Sequence, residues 1–358
     1  MQAGKHERSE QRLGYRSGYY RRRLITRVGT LVLRVPQDRA GQFSTQVFEQ
    51  YQRSEKALVA SLAQMSVQGV STRKVAAITE ELCGHEFSAS SLSAITAKLD
   101  EHLEQFSRRL LDQAFPYVVV DARYERVREG GVIVSRAILI ALGIDWEGRG
   151  RQVLAVEYAN RESQGSWREF LLQLKGRGLK GVQFIVSDDH PGLKAAIREV
   201  LPGVWWQRCH VHFLRNALDY LPRKADDDCL QELRWMYERR DVEEARRDLK
   251  QWLEKWAGKY PKLCGWVETN IEETWTFYRL PVAHHKHLKS TNLLERFNQE
   301  IQRRTLVVRI FPNEASCLRL IRAVASEQHE EWMEGSRYLN ADLLREQIKP
   351  MKTMTMTT

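Results

Sequence analysis

The sequence predicts an α/β fold whose sheet is followed by a long all-helical stretch and preceded by a small helical region. Three observations predict it. From residue 117, Val/Ile-rich runs and amphipathic helical patterns follow the order βββαβαβ. Residues 213–285 are helical and charged, with no strand signal. Residues 57–110 carry three helical patterns separated by glycine breaks.

Residues 1–56 are rich in Arg, Tyr and Gly and read as a basic arm. Within it, Leu24 to Val35 reads as one or two short strands around Val28-Gly29-Thr30. The run from Tyr15 to Arg23 interleaves aromatic and basic residues. There Arg21, Arg22 and Arg23 are expected on phosphates while rings pack or stack; a solvated basic arm is the alternative. In the region 57–112, Leu58, Leu62 and Met65 mark a first helix, broken at Gly69 and Val70. Ser71 or Thr72 caps a second, with Val75, Ile78 and Leu82 on its apolar side. After Gly84, Ser88 caps a long third helix bearing Leu92, Ile95, Leu99, Leu103 and Phe106. This is a helix-turn-helix candidate. Ser90, Ser91, Ser93, Ala94 and Lys98 lie largely off the stripe and are the expected groove contacts; an ordinary helical hairpin is the alternative.

In the region 113–212, Tyr117–Asp121, Val132–Ile144 and Gln152–Tyr158 read as successive strands, with Gly130-Gly131 as a hairpin turn. Trp167–Lys175 is an amphipathic helix and Val182–Ser187 a buried strand. Pro191–Val200 is a helix with Pro near its start, and Val204–Trp206 a fifth strand. This order begins a ribonuclease-H-like fold, in which a central strand and its neighbour carry acidic residues at adjacent ends. The region 213–285 is expected to be an all-helical insertion, holding five of the ten tryptophans, mostly in its core. The region 286–340 returns to the main fold, with a basic helix to about Arg304 and another from Ala315 to about Glu334. Residues 341–358 are a tail, expected to be disordered from Met351.

At 358 residues the chain is long enough for two or three domains. A formal charge of +10 favours a polyanionic partner. The five cysteines are scattered without a CxxC pair, which argues against a disulfide framework and fits a reducing cytosol. No apolar run approaches the ~18–20 residues that span a bilayer. A cytoplasmic protein acting on the chromosome or a plasmid is expected.

Phosphodiester chemistry needs a deprotonated water or 3′-hydroxyl and charge stabilisation on the phosphate, which two Mg²⁺ ions supply together. Mg²⁺ takes hard oxygen ligands and keeps several waters, so a few carboxylates suffice. Asp121 and Asp188 each end an apolar strand, where an unpaired charge is costly unless it reaches an edge or a metal. Asp189 is the alternative at the second position, as a helix cap or as the ligand itself; Asp188 is preferred. On the late helix, Leu293, Leu294, Phe297 and Ile301 form one apolar arc. Glu295, Asn298, Gln299 and Gln302 share a separate polar face, which selects Glu295 over Glu300 as the inward carboxylate. Lys289, Arg296, Arg303 and Arg304 are expected near DNA, with His284, His285 and His287 on the approach. Cys209 and His212 have zinc-ligand spacing, but no second Cys pair accompanies them, so a structural Cys/His pair near the active site is preferred.

Several segments closely resemble the Mutator-type transposases of bacterial insertion sequences. They are Val120 to Arg128, Leu179 to Val182, Ser187 to Lys194, Trp206 to Phe213, Thr291 to Asn298, Arg303 to Thr305 and Ile310 to Ala315. The resemblance runs from roughly residue 5 to 335. It implies that Asp121, Asp188 and Glu295 are the family's DDE triad, and Cys209 and His212 its Cys-x-x-His signature. It further implies that the helical stretch is the family's insertion domain. Two departures stand out. The chain starts inside the family's N-terminal region, and Leu293 stands where the family usually has proline.

The expected function is that of a DDE transposase with Mg²⁺, for which Mn²⁺ can substitute. It would bind double-stranded DNA, both terminal inverted repeats and target, as a homodimer or larger assembly. The nucleoid of a bacterial cytoplasm is the expected location. A catalytically silent DNA-binding repressor and a ribonuclease-H-like nuclease are the alternative functions.

Overall fold

The computed structural model describes residues 16–38, 52–147, 151–222, 227–335 and 338–347. Tyr15, the first residue of the basic-aromatic run, and the tail from Met351 lie outside the described residues. The chain divides into two compact units, residues 1–100 with 306–308, and residues 101–305 with 309–358.

In the first unit, β1 (Arg16–Thr26) and β2 (Gly29–Asp38) form an antiparallel hairpin. Gly29, at φ 119°, supplies the turn conformation that an L side chain resists. The hairpin corrects the shorter strands expected from the sequence. Arg21, Arg22 and Arg23 lie within β1, paired to Arg34, Leu33 and Val32. Next come α1 (Lys56–Val67), α2 (Thr72–Cys83) and α3 (Ala89–Thr96). Ser71 and Ser88 cap α2 and α3 through their side chains, accepting from the Lys74 and Ser91 N–H groups. Leu58, Leu62, Val75, Cys83, Phe87 and Leu92 pack as the core of this unit. The long third helix is not continuous. A 3₁₀ turn at Ala97–Leu99 separates α3 from α4 (Asp100–Arg108). No Gly or Pro marks that break, so periodicity alone ran through it.

The second unit is built on a five-stranded sheet of order β5-β4-β3-β6-β7. Its strands are β3 (Tyr117–Glu129), β4 (Val132–Ile144), β5 (Arg151–Ala159), β6 (Phe184–Ser187) and β7 (Trp205–Arg208). β3, β4 and β5 are antiparallel neighbours, whereas β6 and β7 run parallel to β3. Each face is apolar, so the sheet is covered on both sides. One face packs α5 (Gln164–Gly176) and α6 (Pro191–Val200) through Trp167, Phe170, Leu171, Ala196 and Ile197. The other packs helices from later in the chain, with Tyr117, Val119, Ile138, Ile140, Phe184 and Val186 facing them. α12 (Asn292–Thr305) and α13 (Glu314–Glu334) lie against the strands, and α7 (His210–Ala217), α8 (Asp227–Trp235), α9 (Val242–Trp256), α10 (Pro261–Asn270) and α11 (Val282–Leu288) extend the same apolar core. Trp252, Trp256 and Trp275 are buried there, while Trp235 is half exposed.

β3 corrects a second expectation. Asp121 is not at its end, because the strand continues for eight residues to Glu129, paired throughout with β4. What ends near Asp121 is the parallel ladder to β6, whose last pair is Val119 with Val186.

Candidate active site

Strand alternation places the two aspartates. Side chains of one strand face the same way every second residue. Tyr117 and Val119 point to the face covered by α12, and Asp121 continues that row. Phe184 and Val186 point to the same face, and Asp188 follows two residues on. Val119 pairs with Val186, so Asp121 and Asp188 leave the ladder at one level on one face. α12 supplies the third carboxylate. Leu294, Phe297 and Ile301 are fully buried, Leu293 nearly so, and Glu295 and Asn298 lie on the adjoining arc. Asn298 Nδ2 donates to Asp121 Oδ2 at 2.9 Å. The Asn298 backbone oxygen accepts from Arg123 at 2.7 Å, one step further along the same face of β3.

A relay of hydrogen bonds fixes the segments that carry these groups. Ser187 O accepts from the Cys209 N–H at 2.7 Å. The Cys209 sulfur in turn accepts from the Thr291 N–H and hydroxyl, both at 3.3 Å. Thr291 O accepts from the Leu294 and Glu295 N–H groups, starting α12. The end of β6, the start of α7 and the start of α12 are thus pinned together.

His212 stands among the carboxylates. Its Nδ1 is 4.0 Å from Asp188 and its Nε2 is 3.8 Å from Glu295. The Cys209 sulfur beside it, with the charges of Asp188 and Asp121, lifts the imidazole to about 9 against the effect of burial. Burial disfavours the Cys209 thiolate, but His212 and Thr291 outweigh it and hold the thiol below its ordinary value. Burial pushes the Asp121 carboxyl up to about 6, with Asp188 and Glu162 adding to the rise and His212 and the Ala122 N–H opposing it.

Glu295 Oε1 and Asn298 Oδ1 are buried atoms without a hydrogen-bond partner. Such orphans are costly unless something absent from the protein satisfies them. Hard oxygen donors of this kind are what Mg²⁺ or Mn²⁺ takes. Among the described residues, the donor set whose ligand atoms lie within 4.8 Å of one another is a different one, Cys209, His212 and Glu295, and not the three carboxylates.

Asp189 is turned into a separate ion network. Its carboxylate meets Arg208 at 2.8 Å and Lys194 at 3.2 Å. Glu273, just after α10, pairs with Lys194 at 2.7 Å. Arg208 is 2% exposed and lies over the rings of Phe213 and Trp266. Sequence reading missed this network. The signal was an arginine closing an apolar strand run, Trp205 to Arg208, but its two acidic partners are remote in the chain. Glu162, which acts on Asp121 from the loop after β5, had no local signal.

The basic residues divide. Arg296 is exposed on α12, and Arg303 is exposed but paired with Glu300. Arg304 is buried between Glu300 and Glu327, and Lys289 is mostly covered and paired with Glu238. Those two positions do not suit the phosphate contacts expected of them, because acidic partners already neutralise them. His284 is buried, bonded to the Tyr117 hydroxyl and to Asn340 O, so it is a core group rather than an approach to DNA. In the first unit, Arg21, Arg23, Ser90, Ser91 and Lys98 are exposed, and Arg22 is half-buried and donates to Gln52 O.

The fold and site define a mixed α/β protein whose strand register and a crossing helix gather three carboxylates around a histidine. The profile described as Transposase, Mutator family matches residues 1–335, and the chain belongs to that family. It is 67% identical over 347 residues to the transposase for insertion sequence element ISRM5 of Rhizobium meliloti, covering 97% of this chain and 87% of that one. It is 46% identical to the transposase for IS406 of Burkholderia multivorans, over 94% of this chain and 87% of that one. It is 42% identical to the transposase for IS256 in transposon Tn4001 of Staphylococcus aureus, over 96% and 88%. The family resemblance read from the sequence is borne out. No helix among the described residues is long and apolar enough to cross a membrane.

Proposed function

We propose that the chain is a DDE transposase that binds the terminal inverted repeats of an insertion sequence and catalyses metal-dependent DNA cleavage and strand transfer. The observation that supports this reading is that Asp188 and Glu295 flank His212 while Asn298, three residues after Glu295, holds Asp121, with Glu295 Oε1 buried and lacking a hydrogen-bond partner. Mg²⁺ held by these carboxylates, or Mn²⁺ in its place, would activate a water and then a 3′-hydroxyl and offset charge on the phosphate.

The protein's own groups do the rest. Asn298 orients the Asp121 carboxylate by donating to it. His212 offsets the mutual repulsion of Asp188 and Glu295 while no cation is bound. Asp189 is engaged by Arg208 and Lys194, which favours Asp188 as the ligand. Arg296, exposed on α12, is a phosphate contact there, and Arg303, also exposed, would join it by exchanging Glu300 for phosphate. The first unit, read as a ribonuclease-H-like core's DNA-binding partner with a helix-turn-helix, would offer Arg21, Arg22, Arg23, Ser90, Ser91 and Lys98 to the repeats. Two element ends must meet, so a homodimer or larger assembly on the bacterial nucleoid follows.

The test is strand transfer in vitro with labelled element ends and a target plasmid, in Mg²⁺ or EDTA. Joined product that needs metal and is lost in Asp121→Ala and Glu295→Ala supports the proposal. Cleavage without joining would indicate a nuclease, and binding without cleavage a repressor.

A further inference from the structure

We propose that Cys209, His212 and Glu295 form a second, thiophilic metal site for a zinc-class ion. The inference rests on the reading of Glu295 as a catalytic carboxylate, but its donor set is different.

The local structure builds the site. Cys209 is the residue that starts α7, and His212 lies three positions on. That spacing puts the two side chains on one face of the first turn. The relay through Thr291 brings Glu295 to the same place. One donor atom from each of the three lies within 4.8 Å of the others. Donors of a tetrahedral zinc ion, at bond lengths of about 2.0–2.3 Å, stand roughly 3.5 Å apart. His212 Nε2 and Glu295 Oε1 are already at 3.8 Å.

The chemistry of each donor fits. The Cys209 sulfur accepts two hydrogen bonds from Thr291, the pattern that favours a thiolate in a buried setting. Glu295 Oε1 is buried and has no hydrogen-bond partner. With Nε2 directed to the ion, His212 Nδ1 faces Asp188 at 4.0 Å and has no hydrogen-bond partner of its own. A carboxylate behind a ligating imidazole fixes its tautomer and raises its basicity. Asp188 would serve in that position, so both acidic groups would be drawn away from Mg²⁺. Three protein donors leave a fourth position for water. A sulfur ligand selects zinc-class ions over Mg²⁺, which takes oxygen.

Co²⁺ reports the site directly, because a thiolate bound to tetrahedral Co²⁺ gives a charge-transfer absorption that oxygen ligands do not. Full-length protein would be titrated with Co²⁺ and then with Zn²⁺. We expect one equivalent of the thiolate band, displaced by Zn²⁺, absent in Cys209→Ser and His212→Ala and retained in Asp121→Asn. Loss of an outer-shell partner costs about 10–100-fold in metal affinity, so loss of the Cys209 ligand should cost more than about 100-fold. Wild-type protein without the band, or a band that survives in Cys209→Ser, would overturn the proposal. The latter would place the ion at another of the buried cysteines. The wild-type titration needs no variant to fold. Strand transfer in Mg²⁺ alone is a separate measurement, so failure of the catalytic reading and failure of the zinc site are told apart.

Discussion

Asp121→Asn should make the metal-free protein more stable above about pH 6 while abolishing strand transfer. In the unfolded chain this carboxyl ionises near 3.8, and in the folded chain near 6. Between those values the folded state keeps a proton that the unfolded state has lost. Raising the pH through that window therefore penalises the fold, and the full penalty is present above about pH 6. A rise of about two pKa units corresponds to roughly 3 kcal/mol. Asp121 keeps some solvent exposure, which screens part of this, so about 1–3 kcal/mol is the working range. The asparagine is neutral at every pH and retains a carbonyl to accept from Asn298. For a unit of this size, the gain corresponds to a rise in Tm of about 2–10 °C. Wild type and variant would be melted in EDTA near pH 7.5 and near pH 4. The gain should appear near pH 7.5 and largely vanish near pH 4. A variant no more stable than wild type at the higher pH, or an equal gain at both, would refute the reasoning.

Other positions give independent readings. A Cβ at Gly192 would stand 2.5 Å from Gln164 N and 2.9 Å from the Ser163 carbonyl carbon, so Gly192→Ala must push apart the starts of α5 and α6. A loss of about 1–3 kcal/mol is expected in urea unfolding, and full wild-type stability would show that the two turns yield freely. Arg208→Met should cost about 3 kcal/mol, because it strands Asp189 and Glu273 beside a buried site. A denaturant midpoint unmoved from wild type would mean Lys194 alone compensates both acids. Each phosphate contact contributes about 0.9 to the slope of log affinity against log salt, so Arg21→Gln with Arg23→Gln should flatten it by about 1.8. Fluorescence anisotropy on an inverted-repeat duplex measures this, and an unchanged slope would take β1 off the DNA backbone.

The parts of the structure legible in the sequence are those set by local periodicity. The arc Leu293, Leu294, Phe297 and Ile301 is buried because it recurs with the helical turn, and it fixes which way Glu295 points. Ser71 and Ser88 cap helices because their side chains meet N–H groups three residues on. What was not legible depended on partners elsewhere. The second half of β3 is charged, and only pairing with β4, out to Glu129 with Val132, makes it strand. Arg304 and Lys289 look like free cations until Glu327 and Glu238 are brought against them. A count of charge along the chain cannot separate a phosphate contact from a neutralised pair.

The geometry of the site follows from register rather than from loop conformation. Asp121 and Asp188 each lie two residues beyond one paired couple, Val119 and Val186, on the face that α12 covers. A slip of one residue between β3 and β6 would turn one carboxylate to the opposite face, among Val118, Val120 and Ile185. The apolar contacts of both faces oppose that slip, so the core that stabilises the sheet also sets the position of the carboxylates. Register does not reach Glu295, which comes from a helix after the long insertion. There the Ser187–Cys209–Thr291 relay takes over, and its sulfur receives two of the hydrogen bonds. Cys209 therefore has a structural duty apart from any metal. Replacing it with serine keeps an acceptor for Thr291 but shortens the reach. The Cys-x-x-His pair and the acidic triad are thus one mechanical unit, joined through the start of α12.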